Sequence, residues 1–261
     1  MRTPVTRTIA TIPLLLVHGW AGSAESWSSV LPDLRAEGLA SVTAVRLPAS
    51  PGADPRGTPT IRDAAAELVQ TAALLPERPL LIGHSMGAQV TLLAHQILGE
   101  KIVGEVVIDP AYGSDSTREE AAIWADRIDR DGHVAVRDFF GSALGERMSA
   151  DDRANILHDV DRTASDVIAA YLRSEYSADD SIGLRAQTGL AAALRSRPVL
   201  AIHSTQHGAE YEATLPAPEG SRVEQWPGYG HYLHLEDPSR FASSVAAFAK
   251  SLVSTESMAR A

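Results

Sequence analysis

The sequence predicts an α/β fold: a mostly parallel central sheet with helices on both faces. Three observations carry that prediction. Short apolar runs alternate with helix-like stretches through most of the 261 residues, the pattern of β-α repeats whose strands are buried on both sides. One run, Leu80-Leu81-Ile82, passes directly into Gly83-His84-Ser85-Met86-Gly87 and then into the helix-like Ala88-Gln89-Val90-Thr91-Leu92-Leu93-Ala94. A residue flanked by glycines between strand and helix marks a turn too tight for neighbouring Cβ atoms. The chain is also 44% hydrophobic and 21% charged, ordinary for a folded protein, at a length that one α/β domain can reach undivided.

The elements follow in order. Pro13-Leu14-Leu15-Leu16-Val17 reads as a buried strand and ends in His18-Gly19-Trp20. Residues 25–37 have helical periodicity, and residues 42–47 are strand-like. Residues 48–59 hold four prolines and two glycines and form a loop. Thr60 is placed to cap a helix over residues 61–75. The strand at residues 80–82 leads into the tight turn, a helix over 88–98 follows, and the strand at 102–108 ends in Asp109-Pro110. From about residue 114 to 194 the alternation stops, and helical pieces such as 119–130 and 164–176 dominate. It resumes with strands at 198–202 and 222–226 and a closing helix at 238–252.

Composition narrows the function. The net charge is −10, Lys101 and Lys250 are the only lysines, and no basic cluster interleaves with aromatics. Nucleic acid is therefore not an expected partner. The acidic excess reads as a solubility feature. With no cysteine, disulfides, thiolate metal sites and cysteine nucleophiles drop out. Arg2 and Arg7 before residues 9–17 imitate a secretory signal, but proline interrupts that run and cleavage would remove His18-Gly19. The expectation is a first strand in a cytoplasmic protein. No apolar stretch is long enough to span a bilayer, so no membrane partner is expected.

The chemistry centres on Ser85. A serine in such a turn stands at the carboxyl end of its strand, with a helix amino terminus behind it whose free N–H groups favour negative charge. It reads as a nucleophile. A serine hydroxyl needs a base, and histidine titrates in the useful range. Of nine histidines, His231 lies in the turn Gly228-Tyr229-Gly230-His231 after the last strand, with His234 three residues on.

His18-Gly19-Trp20, Gly83-His84-Ser85-Met86-Gly87 and Gly228-Tyr229-Gly230-His231, in this order, resemble the α/β-hydrolase fold family. The resemblance covers about residues 13–252. Residues 42–50 are similar to the corresponding strand exit of the small plant esterase and hydroxynitrile lyase branch. The resemblance implies a core of residues 1–112 and 196–261 carrying a helical cap, residues 113–195, over the active site. It also implies that one or two of the family's leading strands are absent. His231 would be the base, with His234 its rival, and the backbone N–H groups of Trp20 and Met86 would form the oxyanion hole. Trp20 and His84 would contact substrate, with His18 and His84 structural or pocket-lining.

The third catalytic member departs from the common pattern. Where most relatives carry an acid, this chain reads Ser204-Thr205-Gln206-His207. A minority place the acid one strand earlier, where this chain has Asp109, and the order Ser85, Asp109, His231 fits the family. Glu210 and Glu212 are the alternatives. Dehalogenases and epoxide hydrolases of this fold need an aspartate where Ser85 stands, which argues against those activities. His203 and His207 share i, i+4 spacing but follow a strand in an expected loop, unlike a zinc helix. No metal and no cofactor are expected. The resemblance thus implies a serine hydrolase acting on an ester or lactone of a small organic substrate. The alternatives are cofactor-free lyase, C–C hydrolase or perhydrolase chemistry, and a non-catalytic ligand-binding member.

Overall fold

The computed structural model describes residues 8–53 and 58–259. Part of the expected loop, residues 54–57, and the arginines Arg2 and Arg7 lie outside the described residues. Six strands, β1 (Leu14–Val17), β2 (Val42–Val45), β3 (Leu80–His84), β4 (Gly104–Ile108), β5 (Val199–His203) and β6 (Arg222–Gln225), form one sheet in the order β2-β1-β3-β4-β5-β6. Every pairing is parallel. The four inner strands are buried along their whole length, which explains their unbroken apolar runs. The outer strands β2 and β6 carry exposed residues.

The expected helix over residues 25–37 is two elements. A 3-10 segment, Ala24–Val30, precedes α1 (Leu31–Ala36). Pro32 causes the break, because proline fits only the first turn of an α-helix, where its missing N–H is not needed. Helix α2 (Ile61–Ala73) begins as expected: the Thr60 hydroxyl accepts from Asp63 N, and the Asp63 carboxylate accepts from Thr60 N. Helix α3 (Met86–Leu98) starts at the residue after Ser85.

Between β4 and β5 lie α4 (Arg118–Asp131), α5 (His133–Ala143), α6 (Ala150–Arg162), α7 (Ser165–Leu172) and α8 (Arg185–Ala192). Helix α7 runs straight into a π-helical turn, Arg173–Ser177. His207, expected in a loop, instead lies on α9 (Gln206–Glu212), because the Thr205 hydroxyl caps Gly208 N. The short α10 (Leu233–Glu236) and the long α11 (Pro238–Ala259) complete the chain.

Helix α1 packs on α11, whereas α3 packs with α2 and α8. Right-handed crossovers put helices that serve opposite directions of strand progression on opposite faces, so the sheet is covered on both sides. The direction reverses between β1 and β3. At such a switch point the loops leaving the strand carboxyl ends diverge and open a crevice. His18-Gly19-Trp20 and Ser85 leave those two strands. No helix among the described residues is long and apolar enough to cross a membrane.

Candidate active site

Ser85 has φ 54° and ψ −121°, a conformation that costs a non-glycine residue of order 1–3 kcal/mol and needs firm surroundings. The surroundings are backbone. Ser85 N donates to Ile108 O at 3.0 Å, and Ser85 O accepts from Ala88 N at 3.0 Å and Ala111 N at 3.1 Å. Glycine is required on both sides: a Cβ at Gly83 would run into the Gly87 carbonyl, and one at Gly87 into the Val17 carbonyl. Gly19 is tight to a lesser degree, since a Cβ there would lie 3.0 Å from Ser85 Cβ.

His231 and Asp109 meet although 122 residues separate them. His231 Nδ1 donates to Asp109 Oδ2 at 2.7 Å, which leaves Nε2 as the lone-pair nitrogen of the neutral ring. Asp109 Oδ1 accepts from Ser204 N at 2.8 Å and Ser204 Oγ at 2.9 Å. Burial pushes the Asp109 carboxyl up, but the His231 and Ser204 hydrogen bonds outweigh it and hold the group below its ordinary value. Thus the segment where the resemblance leads one to expect an acid instead supplies two donors to a carboxylate just past the neighbouring strand. Sequence reading missed that role of Ser204.

The other candidate acids lie elsewhere. Glu212 is buried against Arg195 Nη1 at 2.9 Å and accepts from Tyr112 OH at 2.8 Å. Glu210 is exposed and accepts from Gln206 Nε2 at 2.6 Å. Neither contacts His231. His207 lies on α9 with Arg185 and Asp115 beside it.

Three other histidines singled out in the sequence, His18, His84 and His234, are buried. His18, buried, donates from Nδ1 to Gly19 O at 2.9 Å, and burial lowers its pKa to about 4. His84 donates from Nε2 to the His231 carbonyl at 3.0 Å, and its ring packs against His231, Tyr232 and His234. It is not among the residues that line a cavity with Ser85. His234 is wedged between Trp27 and His84, and burial, aided by the neighbouring His231, lowers its pKa to about 3.

Met86 is the first residue of α3, where an N–H has no intrahelical acceptor. Trp20 follows Gly19, and its Nε1–H donates to Ile168 O on α7 at 2.9 Å. Its ring stacks on Phe140 of α5. The loop carrying His231 is held from α5 as well. His231 N donates to Ala143 O at 3.1 Å, Gly230 N donates to Glu236 Oε1 at 2.8 Å, and a Cβ at Gly230 would lie 2.7 Å from Gly145 Cα.

A cavity of about 380 Å³ opens beside Ser85. Trp20, Trp124, Phe139, Leu172 and Tyr176 supply most of its apolar wall. One buried acid, Glu175, also lines it. Sequence reading passed over this residue. The signal was present, since Ile168, Leu172 and Glu175 continue one helical stripe on which a glutamate is out of place.

Residues 14–244 match the sequence model of the alpha/beta hydrolase family. Among solved structures, a bromoperoxidase from Bacillus anthracis superposes with a TM-score of 0.77 at 17% identity, covering 92% of each chain. A thermophilic esterase from Thermogutta terrifontis gives 0.73 at 19% identity over 92% of this chain and 90% of that one. The enol-lactonase from Burkholderia xenovorans LB400 gives 0.71 at 16% identity over 92% of each. At these identities the likeness is one of fold. No curated protein matches the sequence. With a family match spanning most of its length and the family's parallel sheet beneath it, this chain belongs to the alpha/beta hydrolase family.

Proposed function

We propose that this protein is a serine hydrolase that cleaves a carboxylic ester or lactone of a small, mainly apolar substrate through an acyl-enzyme on Ser85. The observation that carries the reading is the 2.7 Å bond between His231 Nδ1 and Asp109 Oδ2; Ser85, strained and lining an apolar cavity, adjoins His84, whose ring packs against that of His231. In this scheme Ser85 Oγ attacks the substrate carbonyl while His231 Nε2 takes its proton. Asp109 fixes the imidazole tautomer and stabilises the imidazolium. The N–H groups of Met86 and Trp20 hold the oxyanion. His231 then protonates the leaving alcohol, and water, activated by the same imidazole, releases the acid. Residues 113–195 act as a cap, with Trp20 tying the oxyanion loop to it through Ile168.

The test is hydrolysis of p-nitrophenyl esters from acetate to decanoate by wild type and Ser85→Ala, with intact-mass detection of a fluorophosphonate adduct. Turnover and adduct are both expected in wild type and both absent in the variant. Turnover that survives in Ser85→Ala would overturn the reading. So would a folded wild type that forms no adduct, an outcome that favours a lyase or a binding protein.

A further inference from the structure

The cavity beside Ser85 contains a group for which acyl transfer has no use. Glu175 lies in the π-helical turn Arg173–Ser177, a helix form that recurs at functional positions. It is 2% exposed, and the cavity it lines is the one that Ser85 lines. Its side-chain partner is uncharged: Gln89 Nε2 donates to Glu175 Oε2 at 3.2 Å. Among the described residues Glu175 has no ion-pair partner, and none of the residues lining the cavity is basic. An ionised carboxyl is very unfavourable in such a place, and burial holds its proton on well above the ordinary glutamate range.

Glu175 is also anchored close to the nucleophile. Gln89 stands four residues beyond Ser85 on α3, about 6 Å along the helix axis. Gln89 Nε2 donates to Ala111 O at 2.6 Å, Tyr176 OH donates to the same carbonyl, and Ala111 N donates to Ser85 O. A buried acid O–H is a directional donor, and the cavity offers it to whatever lies against Ser85. A hydrocarbon there would offer it no acceptor. A substrate carboxylate would find no cation on the wall.

We propose that Glu175 donates a hydrogen bond from its carboxyl O–H to an ether, carbonyl or hydroxyl oxygen of a neutral ester or lactone bound against Ser85, and so selects oxygenated substrates over hydrocarbon ones of equal length. The inference rests on the ester or lactone reading of Ser85.

Ether-for-methylene pairs test it. Methoxyacetate against butyrate, both as p-nitrophenyl esters, varies the acyl side. 2-Methoxyethyl acetate against butyl acetate varies the alcohol side. On one side, the wild-type ratio of kcat/KM, ether over methylene, is expected to exceed that of Glu175→Met by about tenfold. Glu175→Gln keeps an uncharged donor and should retain most of the preference. Equal ratios in all three proteins would overturn the proposal and assign the proton to Gln89 Oε1, which has no other donor. A preference for acetylcholine over 3,3-dimethylbutyl acetate that disappears in Glu175→Gln would overturn it as well, because only an ionised carboxylate produces that result.

If Glu175→Met does not fold, the infrared C=O stretch of the protonated acid in wild type serves instead. A shift on binding the ether but not its carbon isostere supports the proposal, and no shift overturns it. If folded wild type hydrolyses none of these esters, the hydrolase reading fails separately. Ligand-observed NMR of the same esters with Ser85→Ala then decides: ether-selective binding lost in Ser85→Ala/Glu175→Met supports Glu175, and equal binding overturns it.

Discussion

Asp109 has a φ of 39°, in the left-handed region that asparagine and aspartate tolerate better than other non-glycine residues. That backbone bend puts one carboxylate oxygen on His231 and the other on the two donors of Ser204. Asp109→Asn keeps the shape but presents an N–H that favours the wrong imidazole tautomer. The expected loss in kcat is roughly 10³–10⁴-fold with little change in melting temperature, checked by steady-state kinetics beside thermal denaturation. Ser204→Ala removes one of two donors and should lower kcat by a smaller factor, about tenfold. The candidate residues His231 and Asp109 were legible because the resemblance to the family, with its chain order, names both positions. Ser204 and Glu175 were not. What each does depends on a partner from another element, Asp109 for one and Gln89 for the other, and no local pattern encodes that meeting.

Among elements, α3 carries the tightest constraint, because it crosses β1 with Gly87 against the Val17 carbonyl. Gly87→Ala should therefore drive the protein out of the soluble fraction. Gly189 in α8 is the converse, since nothing lies within 4 Å of a Cβ built there. Gly189→Ala should stabilise by about 0.5–1 kcal/mol, seen as a higher urea midpoint with an unchanged slope. Most elements were legible, since buried parallel strands read as apolar runs and Thr60 announces α2. The division at Pro32 and the helix after Thr205 were not, because a single proline or a single hydroxyl outweighs periodicity over such short spans.

For the whole molecule, buried charge sets the response to pH. Arg195 bridges Glu212 at 2.9 Å and Glu105 at 3.6 Å, and Glu105 also accepts from Thr91 Oγ1 and His95 Nδ1. Burial pushes Glu105 and Glu212 up, but these partners, and His203 beside Glu212, outweigh it and hold both below their ordinary values, as for Asp109. The unfolded chain therefore binds these protons more readily. Their stabilisation is full above the ordinary carboxylate range and is lost as pH falls through their lowered values, so the urea midpoint should drop below about pH 4. Arg195→Met, which leaves two buried carboxylates uncompensated, should cost about 3–5 kcal/mol at neutral pH. Glu175 has the opposite sign. It keeps its proton when folded and loses it when unfolded, so it subtracts from stability as pH rises above the ordinary glutamate range. Glu175→Gln should raise the urea midpoint at pH 7 but not at pH 4. The strand order was legible only as a class, because apolar runs say that strands are buried but not which ones are neighbours. The seam between Ala143-Leu144-Gly145 and Gly230-His231 joins the end of α5 to the loop that carries His231. Phe139 of the same helix lines the cavity and faces the His231 ring, so a shift at that end of α5 would reach the cavity wall and the imidazole together.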